Sequence, residues 1–187
     1  FGRSLTLLSR AGMQIDEIEL PALAEVAGIM AGGGFSPVEA WAWHRERLAR
    51  AESRYDPRVA LRIRRGESLR AAQYIDLIAS RQAWIATMQR SLRGYDAMLS
   101  PTVPIVAPPL APLLRDDAAF FATNAKLLRN PSLVNLLDGC AISLPCHREG
   151  EMPVGLMLWS GAMCDDAVLN AALAVEAVLG SSGARAH

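Results

Sequence analysis

The sequence predicts an α/β protein in which a mixed sheet is covered by helices. Two short apolar runs, residues 141–145 and 154–159, lie near the end of the chain and are separated by a polar loop that carries Gly150. Each run is too short for a full helix, and its unbroken hydrophobicity is typical of a strand that is covered on both faces. Most of the remaining chain has helical patterning, which supplies the helices that such strands need. We therefore expect both runs to be central strands.

Residues 1–34 are expected to form a helix, a strand and a second helix. Leucines at helical spacing in residues 4–10 predict the end of a helix. Residues 13–20 alternate with a one-residue slip, which predicts a bulged edge strand. Pro21 can open the second helix, which the glycines at 32–34 end. This loop lacks the preceding strand and the following Gly-Lys-Ser/Thr of a phosphate site, so we expect a flexible connection.

Residues 35–94 are predicted to be helical. Ser36 and Glu39 form a capping box with proline at the first helical position. Asp56 precedes a proline and is expected to start a short helix, whereas Ser68 is expected to cap the longest helix, residues 69–93. An apolar stripe at helical spacing along the longest helix is predicted to be core. The stripe consists of Ile75, Ile78, Ile85, Met88 and Leu92.

Residues 95–180 are expected to hold the sheet. Residues 95–100 are predicted to be a strand, and the prolines of residues 101–109 cannot donate to a ladder, so the chain should leave the sheet in an extended conformation. A helix is predicted from Asp116 to Arg129, where Asn130-Pro131 should end it.

The end of the chain is predicted to be a closing helix and a loose tail. Asp165-Asp166 should cap a helix over residues 167–179, which Gly180 should end. Residues 181–187 are expected to be the tail. The whole chain, residues 1–187, is expected to be a single lobe, and its start without methionine suggests a piece of a longer protein.

Composition excludes several classes of function. The formal net charge is zero, which disfavours nucleic acids and anionic membrane surfaces as partners. The longest apolar helical segment is too short to span a bilayer. Three cysteines without a Cys-x-x-Cys pair favour a reducing, cytoplasmic setting. Cys140 and Cys146 would lie roughly 20 Å apart along a strand, and the histidines lack ligand-spaced partners, so no metal site is predicted.

Four motifs occur together in a recognisable order. They are residues 95–104 followed by Ala107-Pro108-Pro109, Asn135 ahead of residues 141–146, residues 152–158, and a closing helix with Asp166, Leu169 and Glu176. In this order and spacing the chain resembles the C-terminal part of amidase-signature hydrolases, which include bacterial amidases and the A subunit of the tRNA-dependent amidotransferase. The resemblance covers nearly the whole chain.

The resemblance implies an α/β/α sandwich fold. It also implies an enzyme that hydrolyses amides through a Ser, cis-Ser and Lys triad and needs no cofactor. In the family that machinery precedes the segments found here, so no catalytic residue is assigned and the chain alone is expected to be inactive. Ser181-Ser182-Gly183 echoes the signature only superficially. Lys126, the only lysine, sits in a helical segment where a solvated side chain is expected.

The resemblance also implies that this lobe forms one wall of the substrate pocket. By position, Asn124 and Arg129 are the polar candidates for substrate binding, with Thr102 behind them. Each of these three residues could equally well form an ordinary helix cap or a surface hydrogen bond without binding substrate. The expected ligand is a small amide, whose identity the sequence does not reveal.

Two other functions remain open. The lobe could be a non-catalytic binding or scaffold module derived from the amidase fold, or it could belong to the A subunit of a tRNA-dependent amidotransferase, which Cys140-Ala141 and the following loop disfavour. A lobe that shares a sheet with another segment should expose an apolar strand edge, so we expect a homo-oligomer.

Overall fold

The computed structural model describes residues 1–184, and it describes side chains for residues 1–180. Contacts divide the chain into two compact units. Unit 1 comprises Phe1–Glu19 and the chain from Met88 onward, and unit 2 comprises Leu20–Thr87. No helix within the described residues is long and apolar enough to cross a bilayer.

Within the described residues, helices outnumber strands. The elements are α1 (Gly2–Arg10), a 3-10 helix (Pro21–Glu25), α2 (Val26–Ile29), α3 (Phe35–Ala51), a second 3-10 helix (Glu52–Arg54), α4 (Pro57–Arg64), α5 (Ala71–Ser91), β1 (Met98–Pro101), α6 (Leu110–Arg115), α7 (Asp117–Leu136), β2 (Cys140–Pro145), β3 (Gly155–Ser160) and α8 (Asp165–Ala184). The predicted α/β class and the two late strands are therefore confirmed.

The sheet of unit 1 has three antiparallel strands in the order β1-β3-β2. In its register, Leu158 of β3 lies between Leu99 of β1 and Ile142 of β2. Because side chains alternate along a strand, these residues share one face of the sheet. That face belongs to the buried core of unit 1, in which Val168 and Ala172 of α8 also lie. The opposite face carries the polar residues described below.

The prediction that both late strands are covered on both faces holds for β3 only. Leu156, Met157, Leu158 and Trp159 of β3 are at most 7% exposed, although successive residues point to opposite faces. In β2, by contrast, Ala141, Ser143 and Pro145 are exposed and their neighbours are not. The prediction was wrong for β2 because the strand lies at one edge of this sheet and, within the described residues, is covered mainly by α8, toward whose core Ile142 and Leu144 point.

Unit 2 has its own small helical core. Leu48 of α3 packs with Ala60 and Ile63 of α4. Farther along, Trp84 is 1% exposed and its indole Nε1–H donates to the carbonyl oxygen of Ala22 over 2.8 Å.

The predicted core stripe of α5 was partly wrong. Met88 and Leu92 are buried, at 1% and 8% exposure, as predicted. Ile75 and Ile78 are instead 64% and 37% exposed. The buried stripe runs instead through Trp84 and Met88, which lie one turn apart on the same face of the helix.

The predicted strand at residues 13–20 and the predicted capping box of α3 were wrong. The segment 13–20 is not a strand; Met13 and Ile15 pack on the core of unit 1 without joining the ladder. Helix α3 begins at Phe35 after Gly34, whose φ of 74° suits glycine, and the Glu39 carboxylate accepts a hydrogen bond from the Tyr74 hydroxyl over 2.9 Å instead of closing a capping box.

Two other helix boundaries also differ from the prediction. Helix α5 begins at Ala71 rather than after Ser68, and the Gln73 side chain accepts from the Arg70 backbone N–H over 3.0 Å. Helix α7 continues through Pro131, with the loss of only the hydrogen bond that proline cannot donate.

The predicted loose tail was partly wrong as well. Helix α8 runs past Gly180 to Ala184, so the first residues of the predicted tail are helical. A side chain at Gly180 would meet nothing within 4 Å, which fits a glycine carried inside an exposed helix. Residues 185–187 of the predicted tail, and the side chains of Ser181 and Ser182, lie outside the described parts of the chain.

Candidate functional site

The polar face of the sheet centres on a pair of hydroxyls that meet across β3. Thr102 follows β1, and its backbone N–H donates to the carbonyl oxygen of Gly155 over 2.9 Å, which extends the ladder by one residue. The Thr102 Oγ1 and Ser143 Oγ atoms lie 2.5 Å apart. Their strands flank β3, and the two side chains meet only because Gly155 between them has no side chain.

A third hydroxyl lies on the same face. Ser100 precedes Thr102 by two residues and pairs with Met157, which also pairs with Ser143, so all three hydroxyl-bearing residues share one face. The Ser100 Oγ atom is buried and has no hydrogen-bond partner among the described residues. A buried polar atom of this kind is uncommon, because leaving it unpaired typically costs about 1–3 kcal/mol. We call Ser100, Thr102 and Ser143 the hydroxyl cluster.

Helix α7 is attached to the end of β1 beside this cluster. The Asn130 side chain donates from Nδ2 to the carbonyl oxygen of Pro101 over 2.7 Å. Its Oδ1 atom accepts from Nε of Arg129 over 3.3 Å. The Asp116 carboxylate caps the start of α7 by accepting from the backbone N–H groups of Ala118 and Ala119.

The three residues predicted to bind substrate have different environments. Thr102 is half-buried in the hydroxyl cluster, and Arg129 is exposed and linked through Asn130 to the residue that precedes Thr102. Asn124 is half-buried on α7. Their role in substrate binding stays a prediction.

Sequence reasoning missed three members of this surface. Ser100 and Ser143 are polar positions within otherwise apolar strands, and Asn130 was interpreted as a helix breaker. The alternation of Ser100 and Thr102 along one strand was a usable signal, since residues two apart share a face. The approach of Ser143 could not be predicted, because it depends on the register between β1, β3 and β2.

The hydroxyl cluster offers hydrogen-bonding groups and no charge. Hydroxyl groups donate and accept hydrogen bonds, and the cluster contains no group that titrates near neutral pH. Lys126 is exposed on α7, as expected for a solvated side chain. No group of three or more His, Cys, Asp and Glu residues suited to a metal ion occurs in the described part of the chain.

The loop that leads into β3 is held by an ion pair. Arg3 of α1 donates from Nη1 and Nη2 to the two carboxylate oxygens of Glu151 over 2.9 and 2.8 Å. The backbone N–H of Arg148 donates to the same carboxylate over 2.9 Å. These hydrogen bonds, the one from Arg3 first, lower the pKa of Glu151 to about 2. The loop thereby has a defined conformation at neutral pH.

Unit 2 contains a separate open cleft of about 250 Å³. It is lined by the glycine-rich segment at Gly32 and Gly34 and by Gln73, Asp76 and Ser80 of α5. The Asp76 carboxylate gives this cleft a negative charge, which disfavours an anionic ligand.

Comparisons with known proteins identify the family. The chain matches the amidase family over residues 1–169. It is 30% identical over 178 residues to 2-amino-5-chloromuconic acid deaminase of Comamonas testosteroni. The aligned region covers 95% of this chain and 38% of the relative. It is 31% identical over 137 residues to the A subunit of glutamyl-tRNA(Gln) amidotransferase from Salinispora tropica, covering 71% of this chain and 27% of that protein.

Solved structures share the fold. Allophanate hydrolase of Kluyveromyces lactis superposes with a TM-score of 0.82 at 24% identity, over 95% of this chain and 29% of that one. A crystal structure of an amidase gives a TM-score of 0.70 at 26% identity, over 90% of this chain and 38% of that one. The chain thus spans well under half the length of these relatives. The match over residues 1–169 shows that the chain belongs to the amidase family.

Proposed function

We propose that this chain is the C-terminal lobe of an amidase, an enzyme that hydrolyses the C–N bond of a small amide and releases ammonia or an amine. The observation that carries the proposal is the match to the amidase family over residues 1–169. The C. testosteroni relative, named a deaminase, is matched over 95% of this chain. Because this chain corresponds to 38% of that relative, the proposal assigns the catalytic triad to a segment outside it.

In this proposal the reaction is divided between two parts of the enzyme. The triad serine attacks the amide carbonyl after a neutral lysine, acting through the second serine, has taken its proton, and backbone N–H groups stabilise the oxyanion. Water then hydrolyses the acyl-enzyme. The lobe described here supplies the scaffold and one wall of the pocket. Its hydroxyl cluster and Asn124 present uncharged hydrogen-bonding groups, and Arg129 offers a guanidinium at the surface.

The division of labour is tested by measuring ammonia release from a panel of simple amides. The isolated chain should give no turnover above background, and the chain joined to the N-terminal part of its parent protein should hydrolyse at least one amide. In the joined protein, Thr102→Ala and Ser143→Ala should change KM or kcat for that amide. Any turnover by the isolated chain would refute the assignment of the triad to another segment. Turnover that persists in a Ser182→Ala, Lys126→Ala double variant would refute the Ser, cis-Ser and Lys mechanism itself, because Lys126 is the only lysine of the chain.

A second candidate function is that of the A subunit in a tRNA-dependent amidotransferase. It is favoured by the 31% identity to the S. tropica protein. That match covers 71% of this chain, whereas the deaminase match covers 95%, so we prefer the amidase. Purification of the tagged full-length protein from its own cells distinguishes the two, because a component of an amidotransferase should bring stoichiometric partner proteins with it.

We also propose that the lobe associates with a second copy of itself. Strand β2 lies at one edge of the sheet, and every second residue along it is exposed. The unpaired backbone groups of an edge strand can form hydrogen bonds with a strand of another molecule. Light scattering of the purified chain should give the mass of a dimer or larger species. A monomeric mass at concentrations up to the solubility limit would refute self-association.

A further inference from the structure

Two of the three cysteines are brought together at one end of the sheet. Cys140, the first residue of β2, pairs with Ser160, the last residue of β3. A short turn then leads to Cys164, which directly precedes α8 and whose carbonyl oxygen accepts from the Val168 backbone N–H over 3.0 Å. Cys140 and Cys164 are far apart in sequence, but the pairing of β2 with β3 brings the segment that leads to Cys164 next to Cys140.

The hydrogen bonds of the two thiols show how close the side chains are. The Cys140 thiol donates to the carbonyl oxygen of Gly161 over 3.5 Å, and the Cys164 thiol donates to that of Ala162 over 3.6 Å. These acceptors are neighbours in one turn. The backbone N–H of Cys164 also points at the Cys140 sulfur, and the two thiols interact electrostatically. Only the Cα and Cβ atoms separate that N–H from the Cys164 sulfur, so the two side chains are neighbours.

Both thiols are accessible to a small reagent. Both cysteines are free thiols and both are half-buried, so a small reagent can reach them. The third cysteine, Cys146, is buried at the far end of β2, six residues from Cys140, and is roughly 20 Å away by the rise of a strand. It therefore serves as an internal control.

We propose that Cys140 and Cys164 form a modification site, a dithiol that a small-molecule disulfide such as oxidised glutathione converts into an intramolecular disulfide. In the first step the thiolate of one cysteine attacks the small disulfide, forms a mixed disulfide and releases one glutathione thiolate. The second cysteine then attacks the protein sulfur of the mixed disulfide and releases the other glutathione. The protein loses two electrons and two protons, and the glutathione disulfide is reduced to two thiols. The product ties the start of β2 to the start of α8.

The environment of Cys140 predicts how the rate depends on pH. Burial raises the pKa of the Cys140 thiol above its ordinary value of 9.0, and the Asp165 carboxylate raises it further. The thiolate is the reactive form, so closure of the disulfide should be slow near neutral pH and should accelerate as the pH rises. Substitution of Asp165 by Asn should accelerate closure at a given pH, because one of the causes of the raised pKa is removed.

The site is tested by incubating the purified full chain with oxidised glutathione, blocking the remaining thiols with N-ethylmaleimide and digesting with trypsin. Cleavage after arginine places Cys140 and Cys146 in peptide 130–148 and Cys164 in peptide 149–185. The expected product is these two peptides linked, with a mass two hydrogens below their sum plus one N-ethylmaleimide on the remaining thiol, Cys146. The link should persist in Cys146→Ser, which removes the ambiguity within the first peptide.

The single variants decide the outcome. Cys140→Ser and Cys164→Ser should give no linked peptides and should instead retain one mixed disulfide with glutathione on the remaining cysteine. The proposal is overturned if wild-type protein stays fully reactive toward N-ethylmaleimide after oxidation, if the link survives in Cys140→Ser, or if non-reducing gels show that it joins two chains. Circular dichroism of each variant establishes that it is folded before oxidation is measured.

Discussion

Substitution of Gly155 by alanine tests the geometry of the hydroxyl cluster directly. A Cβ atom at this position would lie 2.5 Å from Thr102 Oγ1, 2.5 Å from Ser143 Oγ and 3.1 Å from Thr102 Cβ. Carbon and oxygen atoms do not approach this closely without a bond. The two hydroxyls must therefore move apart, and their 2.5 Å hydrogen bond must break.

The expected cost follows from three contributions. Overpacking of an ordered site typically costs about 1–3 kcal/mol, and loss of a hydrogen bond costs about 0.5–1.5 kcal/mol. Replacement of glycine by alanine regains about 0.4–1 kcal/mol, because it restricts the unfolded chain. We therefore expect Gly155→Ala to lower the free energy of unfolding by about 2 kcal/mol, with overpacking as the largest contribution.

The measurement is urea-induced unfolding followed by circular dichroism, with linear extrapolation to water. Gly180→Ala is the matched control: it lies in α8, its Cβ would meet nothing within 4 Å, and it should be neutral or stabilising by up to about 1 kcal/mol. Adding Ser143→Ala to Gly155→Ala removes one of the clashing atoms, so the double variant should cost about 1 kcal/mol less than the sum of the single variants. A cost below about 0.5 kcal/mol for Gly155→Ala, or full additivity in the double variant, would refute the geometry.

Three further predictions concern other parts of the fold. Trp84→Phe removes a buried indole N–H donor and should cost about 2 kcal/mol in urea unfolding, whereas Trp43→Phe, at a position 73% exposed, should stay within about 0.5 kcal/mol. Asp116→Ala removes the N-cap of α7 and should cost about 1 kcal/mol, most of which Asp116→Asn should restore. The pKa of Glu151 is lowered from 4.5 to about 2, so its bond to Arg3 stabilises the fold above pH 4.5 and is lost as the pH falls toward 2. The Tm difference between wild type and Glu151→Gln should shrink over that pH interval; a constant difference would show that the carboxylate contributes nothing.

Local sequence signals were sufficient where one residue decides the structure. Asp56 and Asp116 accept from the backbone N–H groups two and three residues later, as their positions before helical segments predict. The apolar run in β3 is buried on both faces. For the two caps the decisive hydrogen bonds lie within three residues of the signal, and for β3 the length and unbroken hydrophobicity of the run were enough to predict burial.

Signals failed where a distant contact overrides a local preference. Pro131 should end a helix, but Asn130 beside it donates to the Pro101 carbonyl group and α7 continues. Glu39 had the spacing of a capping box, but its carboxylate accepts from Tyr74, which is 35 residues away. A competing hydrogen bond across such a separation depends on the tertiary packing, which local propensity does not contain.

The hydroxyl cluster and the failed prediction for β2 have the same physical origin. An apolar run in a sequence states how much hydrophobic area a strand carries, but it does not state on which face that area lies. In β2 the larger side chains, Ile142 and Leu144, face the core of unit 1, whereas Ala141 and Ser143 lie on the other face. Because Gly155 of β3 carries no side chain, Ser143 on that face reaches Thr102. Bulky residues on that face of β2 would have satisfied the burial prediction and left no room for the hydrogen bond between Ser143 and Thr102.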